Sequence, residues 1–378
     1  MRVLVVDPHL QTLPYDKAFC RALATCGNEV FMVGRPFRPT QNWNVPEVQY
    51  LPIGSFVRSA PTGRLMRQAI KWKFRWGLIS LRSLIRQLQP DIVHYEWVPM
   101  PLSDRLIVRS KRSFPPTILT VHDTAPVNEI STIPTASITI LKTFDHLIVH
   151  TNSGVSRLAS LGIPLGHITR IAHGPLKLED SESKPDHEAP NGTVYFVLFG
   201  VMRPYKGIDV LIKAVSELTP EIRGRCKFMI AGKPSIDVDQ LRNLIVAHGV
   251  SDNIELFPQW FSETEIATLF KKASAFVFPY HEIDVSGVLM LALTFGKPIV
   301  ASKIGGFSEI LTDGEHGYLV APGDPSLLAE ALTKIVVDPA ARSRFGQNVK
   351  ALATSEPSWE DVAQSTTQLY RSLKKSGN

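Results

Sequence analysis

Short runs of β-branched and aromatic residues alternate with helix-patterned stretches along the chain, and the alternation occurs twice. In the first half VLVVD, EVFMVGR, DIVHYEW, TILTVHD, HLIVHT and ITRIAHG read as strands, and in the second half YFVLFG, KFMIAGK, IELFP, AFVFPY, PIVAS and GYLVA do. Strands that are apolar on both faces belong to parallel sheets, and parallel neighbours need crossover helices between them. The pattern therefore predicts an α/β protein built from two doubly wound, Rossmann-like domains. With 378 residues, 44% of them hydrophobic, each domain has enough chain for its own core. The polar segment LKLEDSESKPDHEAPNGT, residues 176–193, has no hydrophobic period and reads as a linker. It separates a domain over residues 1–175 from one over 194–355, and a C-terminal helix over 356–378 is expected to pack back towards the first.

Composition removes several classes. Cys20, Cys26 and Cys226 have no paired spacing, which argues against a disulfide framework or a structural zinc site and for a reducing cytoplasm. No apolar run approaches the roughly 18 residues that cross a bilayer, and MRVLVVDP enters a strand without the layout of a signal peptide. The net charge of +6 is lopsided: residues 1–175 carry 20 Lys and Arg against 10 Asp and Glu, and residues 176–378 carry 21 against 25. Between Glu47 and Asp91 lie 43 residues with eight bases and no acid. Such a stretch attracts phosphate-rich surfaces.

Within it, residues 64–88 read as one amphipathic helix. Arg64, Arg67, Lys71 and Arg75 fall on a basic stripe, Met66, Ile70, Phe74, Leu81 and Ile85 on an apolar one, and Trp72 and Trp76 between them. Bases beside tryptophans suit an anionic bilayer, so the expectation is a cytoplasmic protein peripheral at the inner face of the membrane. The plainer reading is a core helix with a wet basic face. Nucleic acid is not expected as a partner, since no binding motif accompanies the patch.

Ligands of open parallel sheets bind at the carboxyl ends of strands, so the residues just after each strand are the first candidates. In FGVMRPYKGIDVLIKA a strand ends at Gly200, and Arg203 and Lys206 precede a helix. Two cations there suit a diphosphate, unless the turn is merely solvated. In FPYHEIDVSGVLMLALTFGKPIVAS the acids Glu282 and Asp284 precede Ser286 and Gly287 at the start of an apolar helix. Free N–H groups at that start make an anion site and the carboxylates suit sugar hydroxyls; capping by Asp284 or Ser286 is the alternative. Gly305-Gly306 and Glu309 follow the next strand, either as a close approach to ligand or as a structural turn. In the first half His122 and Asp123 end a strand, with His94, Glu96 and His173 similarly placed. A lone histidine is more often buried and satisfied than catalytic.

Taken in order, YFVLFGVMRPYKGIDVLIKA, FMIAGK, HEIDVSGVLMLALTFGKPIVASKIGGFSEIL and DGEHGYLVAPGD, over residues 195–325, resemble the retaining GT-B glycosyltransferases of family 4. DIVHYEW, TVHD and IAHGP extend the resemblance into the first half. It implies a GT-B fold of two domains facing across a cleft, and retaining transfer of a sugar from a UDP- or GDP-sugar to a glycan or lipid-linked acceptor, with no metal or other cofactor. The first domain would bind the acceptor and the second the nucleotide sugar. On this resemblance Arg203 and Lys206 hold the donor diphosphate with the backbone of Ser286, Gly287 and Val288. The sugar lies near Glu282, and His122 with Asp123 orients donor sugar or acceptor. The family's paired glutamates are not intact: anchoring on Gly296-Lys297-Pro298 places the second at Leu291 and the first at Ile283, one past Glu282. A ribose-holding carboxylate is thus missing, with Glu309 or Asp284 as the substitutes to hand. The glycine pair after the first strand is replaced by DPHLQTLPY. Together with the basic helix, the resemblance points to bacterial-type polysaccharide assembly. Two rivals stand beside it, a nucleotide-sugar epimerase of the same fold and a noncatalytic nucleotide-sugar-binding subunit.

Overall fold

The computed structural model describes residues 1–38, 41–56, 64–98, 115–124, 135–178 and 192–376, with backbone alone for 64–74, 135–137, 375 and 376. They form two compact units. The first contains β1 (Arg2–Asp7), β2 (Glu29–Gly34), β3 (Gln49–Pro52), β4 (Ile92–Tyr95), β5 (Thr117–Thr120), β6 (His146–Val149) and β7 (Ile168–Arg170). All are parallel, in the order β3-β2-β1-β4-β5-β6-β7. Strand order reverses between β1 and β4, where neighbouring crossovers leave on opposite faces and open a crevice. Six of these strands carry the apolar runs read above. The edge strand β3, QYLP, does not, and its residues are half-exposed or exposed.

The helix Arg64–Leu88 has the predicted span. Its Leu78, Leu81 and Ile85 pack with Phe56, Val93 and Tyr95 in the core of the first unit. Over its described half the apolar stripe is therefore core, as in the plainer of the two readings. Arg75 lies exposed on the far side with Trp76 and Ile79, which are 63% and 58% exposed. The side chains of Arg64, Arg67, Lys71 and Trp72 fall outside the described residues. Among the described residues no helix is long and apolar enough to cross a membrane.

The helix Trp359–Ser376 belongs to this first unit although the second intervenes in the sequence. It lies along the helix Leu13–Thr25. Asn28 donates to Thr367 Oγ1 at 2.9 Å, Lys374 meets Asp91 at 2.6 Å, and the Tyr370 hydroxyl bonds His94 Nδ1.

The second unit contains β8 (Val194–Phe199), β9 (Cys226–Ala231), β10 (Ile254–Phe257), β11 (Ala275–Phe278), β12 (Ile299–Ser302) and β13 (Gly317–Val320). All six occur where the sequence pattern places them. They too are parallel, in the order β10-β9-β8-β11-β12-β13, so the crevice lies between β8 and β11. One face packs on the helices Ile208–Glu217 and Pro325–Val337, the other on Glu263–Lys272 and Gly287–Leu293.

Candidate functional site

At the end of β8 the backbone turns at Gly200, with φ +117°, and leads through Arg203 to Lys206. Lys206 is only 4% exposed, so the reading of a solvated turn fails for it. Its Nζ donates to the Phe199 carbonyl at 3.4 Å and to the Tyr280 hydroxyl, and lies 4.4 Å from the centre of the Tyr280 ring. A lysine keeps its charge in such a place only where oxygens and a π-face replace water. The Tyr280 hydroxyl is also hydrogen-bonded to Ser286, and burial beside Tyr205 pushes its titration well above the ordinary phenol range, so it stays neutral. Arg203 is half-buried, and among the described residues its guanidinium has no hydrogen-bond partner.

A Cβ built at Gly200 would lie 2.9 Å from Lys206 Nζ and 3.2 Å from Val288 Cγ2. The lysine, the end of β8 and the start of the helix Gly287–Leu293 thus meet at one point, and only glycine leaves them room. Ser286 caps that helix, its Oγ accepting from Leu289 N–H at 3.2 Å. The N–H groups of Gly287 and Val288 find no acceptor among the described residues. The helix has seven residues, so its dipole adds little and those two donors act directly.

Glu282 is half-buried and Asp284 buried on the loop before Ser286. Asp284 offers its carbonyl to Gly306 N–H at 2.8 Å. At Gly305, with φ +40°, a Cβ would sit 1.9 Å from the Ile283 carbonyl. The glycine pair thus lets two loops of the protein touch, which is the structural of its two readings. Glu309 is exposed on the helix Gly305–Ile310, and Leu291 is buried in the core.

In the first unit the carboxyl ends of β4 to β7 bring His94, His122, His150 and His173 into one buried group. His122 stacks on Trp97, ring centres 5.0 Å apart, and meets Tyr15 edge-on. Its Nε2 is 2.9 Å from Glu96 Oε2, and its Nδ1 is 3.4 Å from His150 Nε2. His150 Nδ1 in turn is 2.9 Å from the Ile171 carbonyl and must donate to it. His150 Nε2 is then an acceptor, so His122 Nδ1 carries a hydrogen. The pair of Glu96 and His122 therefore holds one proton more than a carboxylate beside a neutral imidazole would. Burial acts the same way on both partners, raising Glu96 and lowering His122 to about 3. Burial also lowers His150 to about 3, and His173 well below the imidazole range. His122 is thus neither a free base nor a lone satisfied histidine. Asp123, beside it, is half-buried. A hollow of about 150 Å³ is lined by Trp97, Leu119, His122, Asp123 and Ile140, among others.

DPHLQTLPY folds around Asp7, whose carboxylate accepts from the N–H groups of His9, Gln11 and Thr12 at 3.1, 2.5 and 3.3 Å. Where the resemblance expects a glycine pair, the loop thus spends these amides on its own aspartate. Burial raises Asp7 to about 6. Tyr280, His150, Tyr15 and Trp97 were not singled out in the sequence. The signal for two of them was available, since His150 directly follows β6 and Tyr280 lies two residues beyond β11. Among the described residues no three or more His, Cys, Asp or Glu are grouped to hold a metal ion.

Residues 17–174 match the family described as Glycosyltransferase Family 4, and residues 179–352 match Glycosyl transferases group 1. The chain belongs to the group 1, family 4 glycosyltransferases. The first of these matches thus takes in β2 to β7 of this family 4 chain, and the second takes in β8 to β13. Over 188 residues it is 28% identical to a D-inositol 3-phosphate glycosyltransferase of Streptomyces avermitilis, covering 48% of this chain and 40% of the relative. The family 4 chain therefore spans less than half the length of that curated relative. In fold it is similar to sucrose-phosphate synthase from Thermosynechococcus elongatus, with TM-score 0.81, 19% identity and full coverage of both chains. It is likewise similar to Anabaena HepE in complex with UDP and glucose, with TM-score 0.74, 14% identity and coverage of 98% and 100%. These likenesses make the two-sheet architecture that of the GT-B fold.

Proposed function

We propose that the protein transfers a sugar, with retention, from a nucleotide sugar to a hydroxyl of a glycan or lipid-linked acceptor. The observation that carries this reading is the meeting of buried Lys206 with the unoccupied N–H groups of Gly287 and Val288 at the β8–β11 crevice. A cation and two amides without acceptors suit the β-phosphate of a leaving nucleoside diphosphate, with Arg203 as the second cation. The HepE complex with UDP and glucose supports a nucleotide sugar as donor. As the bond from the anomeric carbon to the phosphate oxygen breaks, negative charge gathers on the β-phosphate, and donors fixed before the reaction stabilise it without reorganising. The acceptor oxygen forms the new bond on the face the phosphate leaves, and its proton passes to that phosphate. No step in this scheme draws on a metal or cofactor. Glu282 and Asp284 are proposed partners of donor hydroxyls, and His122, Asp123 and the hollow beside Trp97 take the acceptor. Arg75 with Trp76 supports a peripheral place at an anionic membrane, and with it polysaccharide assembly.

The test is release of nucleoside diphosphate from a panel of UDP- and GDP-sugars by purified protein. Lys206→Ala is expected to lower kcat/KM roughly 100-fold or more, in the range seen when one transition-state donor is removed, and Arg203→Ala less. An intact rate in both variants refutes the site. Leu291 gives the noncatalytic reading its one support, and donor binding without turnover on any acceptor would favour it.

A further inference from the structure

A hollow of about 540 Å³ lies within the second unit, lined by Val194 at the start of β8 and by Ser274 and Pro298, which lead into β11 and β12. It is therefore at the amino edge of the sheet, whereas Lys206 and Gly287 stand at the carboxyl edge. β8 has six residues, which sets the two edges about 20 Å apart. Five cations line the hollow: Lys271 and Lys272 from the end of the helix Glu263–Lys272, Lys297 from the turn before β12, and Arg342 and Lys350 from the helix Pro339–Ser355. Among the described residues no Asp or Glu lines it. This runs against the charge of the surroundings, since residues 176–378 carry 21 Lys and Arg against 25 Asp and Glu.

Helix ends account for part of the cluster. Lys271 and Lys272 complement the last turn of their helix, and Arg342 Nη1 donates to the Ile335 and Val336 carbonyls, at 2.6 and 3.0 Å, at the end of the helix Pro325–Val337. Lys350 serves no helix end, for it lies before the last turn of its own helix. The walls are also fixed in place. A Cβ at Gly346 would sit 2.7 Å from the Gly296 carbonyl, so glycine lets the helix Pro339–Ser355 rest directly on the turn that carries Lys297. Lys272 Nζ is placed 4.5 Å from the centre of the Tyr195 ring. Cations gathered from three elements repel one another, and an anion bearing several charges relieves that repulsion.

We propose that this hollow is a second anion site, which takes a small, multiply phosphorylated solute. Its volume is in the range of small-molecule sites, and lysines beside an arginine suit several phosphate groups at once. A recess fits a solute better than it fits the surface of a bilayer. The site is independent of the reading of Lys206.

Calorimetric titration of the full chain with inorganic tripolyphosphate tests this, in a Lys206→Ala background so that the carboxyl edge does not contribute. Binding is expected there, and Lys272→Gln with Lys350→Gln should weaken it about tenfold or more. Arg242→Gln with Lys334→Gln removes the same charge from exposed positions outside the hollow and should change nothing. If both pairs weaken binding equally, only the overall charge is felt and the proposal falls. It falls too if the first pair leaves tripolyphosphate binding intact, or lowers co-sedimentation with phosphatidylglycerol vesicles in its place. If tripolyphosphate binds only after Glu182→Gln, Asp186→Asn and Glu188→Gln, the hollow belongs to the chain's own acidic stretch rather than to a solute.

Discussion

A glutamine at position 96 would offer His122 the donor that a protonated glutamate offers, because its amide N–H lies where the acid's O–H does. The one-proton count of this pair thus has a consequence for stability. Glu96→Gln is expected to keep the melting temperature within a degree or two of the parent. Glu96→Ala strands His122 Nε2 without a partner and costs about 1–3 kcal/mol, the usual loss for an orphaned buried polar group. Thermal unfolding of both variants checks this, and a glutamine as damaging as alanine would show that an amide N–H cannot stand in for the Glu96 proton. The sequence showed His122 and Glu96 as residues ending strands but not as partners. Their pairing is set by the register of β4 on β5, Tyr95 opposite Leu119, and a register is a property of two strands that neither discloses alone. Lys206 was legible as a cation after β8. Its burial was not, because Tyr280 lies 74 residues further on.

At the level of elements, periodicity located what periodicity can locate. All six strands of the second unit and the whole span of the helix Arg64–Leu88 followed from apolar runs and stripes. The helix Pro339–Ser355 did not, since few of its residues are large and apolar and only Ala341, Phe345, Gly346 and Val349 are buried. For the helix Arg64–Leu88, the stripe alone does not say which apolar residues serve the core. The structure assigns Leu78, Leu81 and Ile85 to the core and leaves Trp76 and Ile79 outside. The two sets should separate experimentally. Arg75→Gln with Trp76→Ala should lower co-sedimentation with phosphatidylglycerol vesicles several-fold at an unchanged melting temperature, whereas Leu81→Ala should destabilise by about 2–5 kcal/mol. Vesicle binding indifferent to the double change would remove this helix from the membrane reading.

For the molecule as a whole, the buried histidines of the first unit tie stability to pH. His150 titrates near 6.5 when unfolded and near 3 when folded. Between those values the unfolded chain binds more protons, so its contribution is complete above pH 6.5 and is lost as pH falls through the window. Asp7, raised to about 6 by burial, works in the opposite sense, which makes a comparison with one residue changed the cleaner measurement. A Gln side chain can both donate to Ile171 and accept from His122. Stability of His150→Gln against pH should therefore decline less steeply than the parent's between pH 6.5 and 3, by up to about 1.4 kcal/mol per pH unit. Parallel slopes would show that His150 does not titrate on unfolding. The two-domain α/β plan was readable from strand and helix alternation, because alternation is local. The C-terminal helix, expected to pack back towards the first domain, lies with the first unit through contacts such as Asn28 with Thr367.

That helix has a consequence for how the chain is made. A ribosome delivers β1 to β7 first, yet His94 lacks its Tyr370 partner, and Asn28 its Thr367, until the entire second sheet has been translated. The apolar core of the first sheet contains no residue of that helix and can close without it, but these two buried polar groups stay without these partners until the helix has been made.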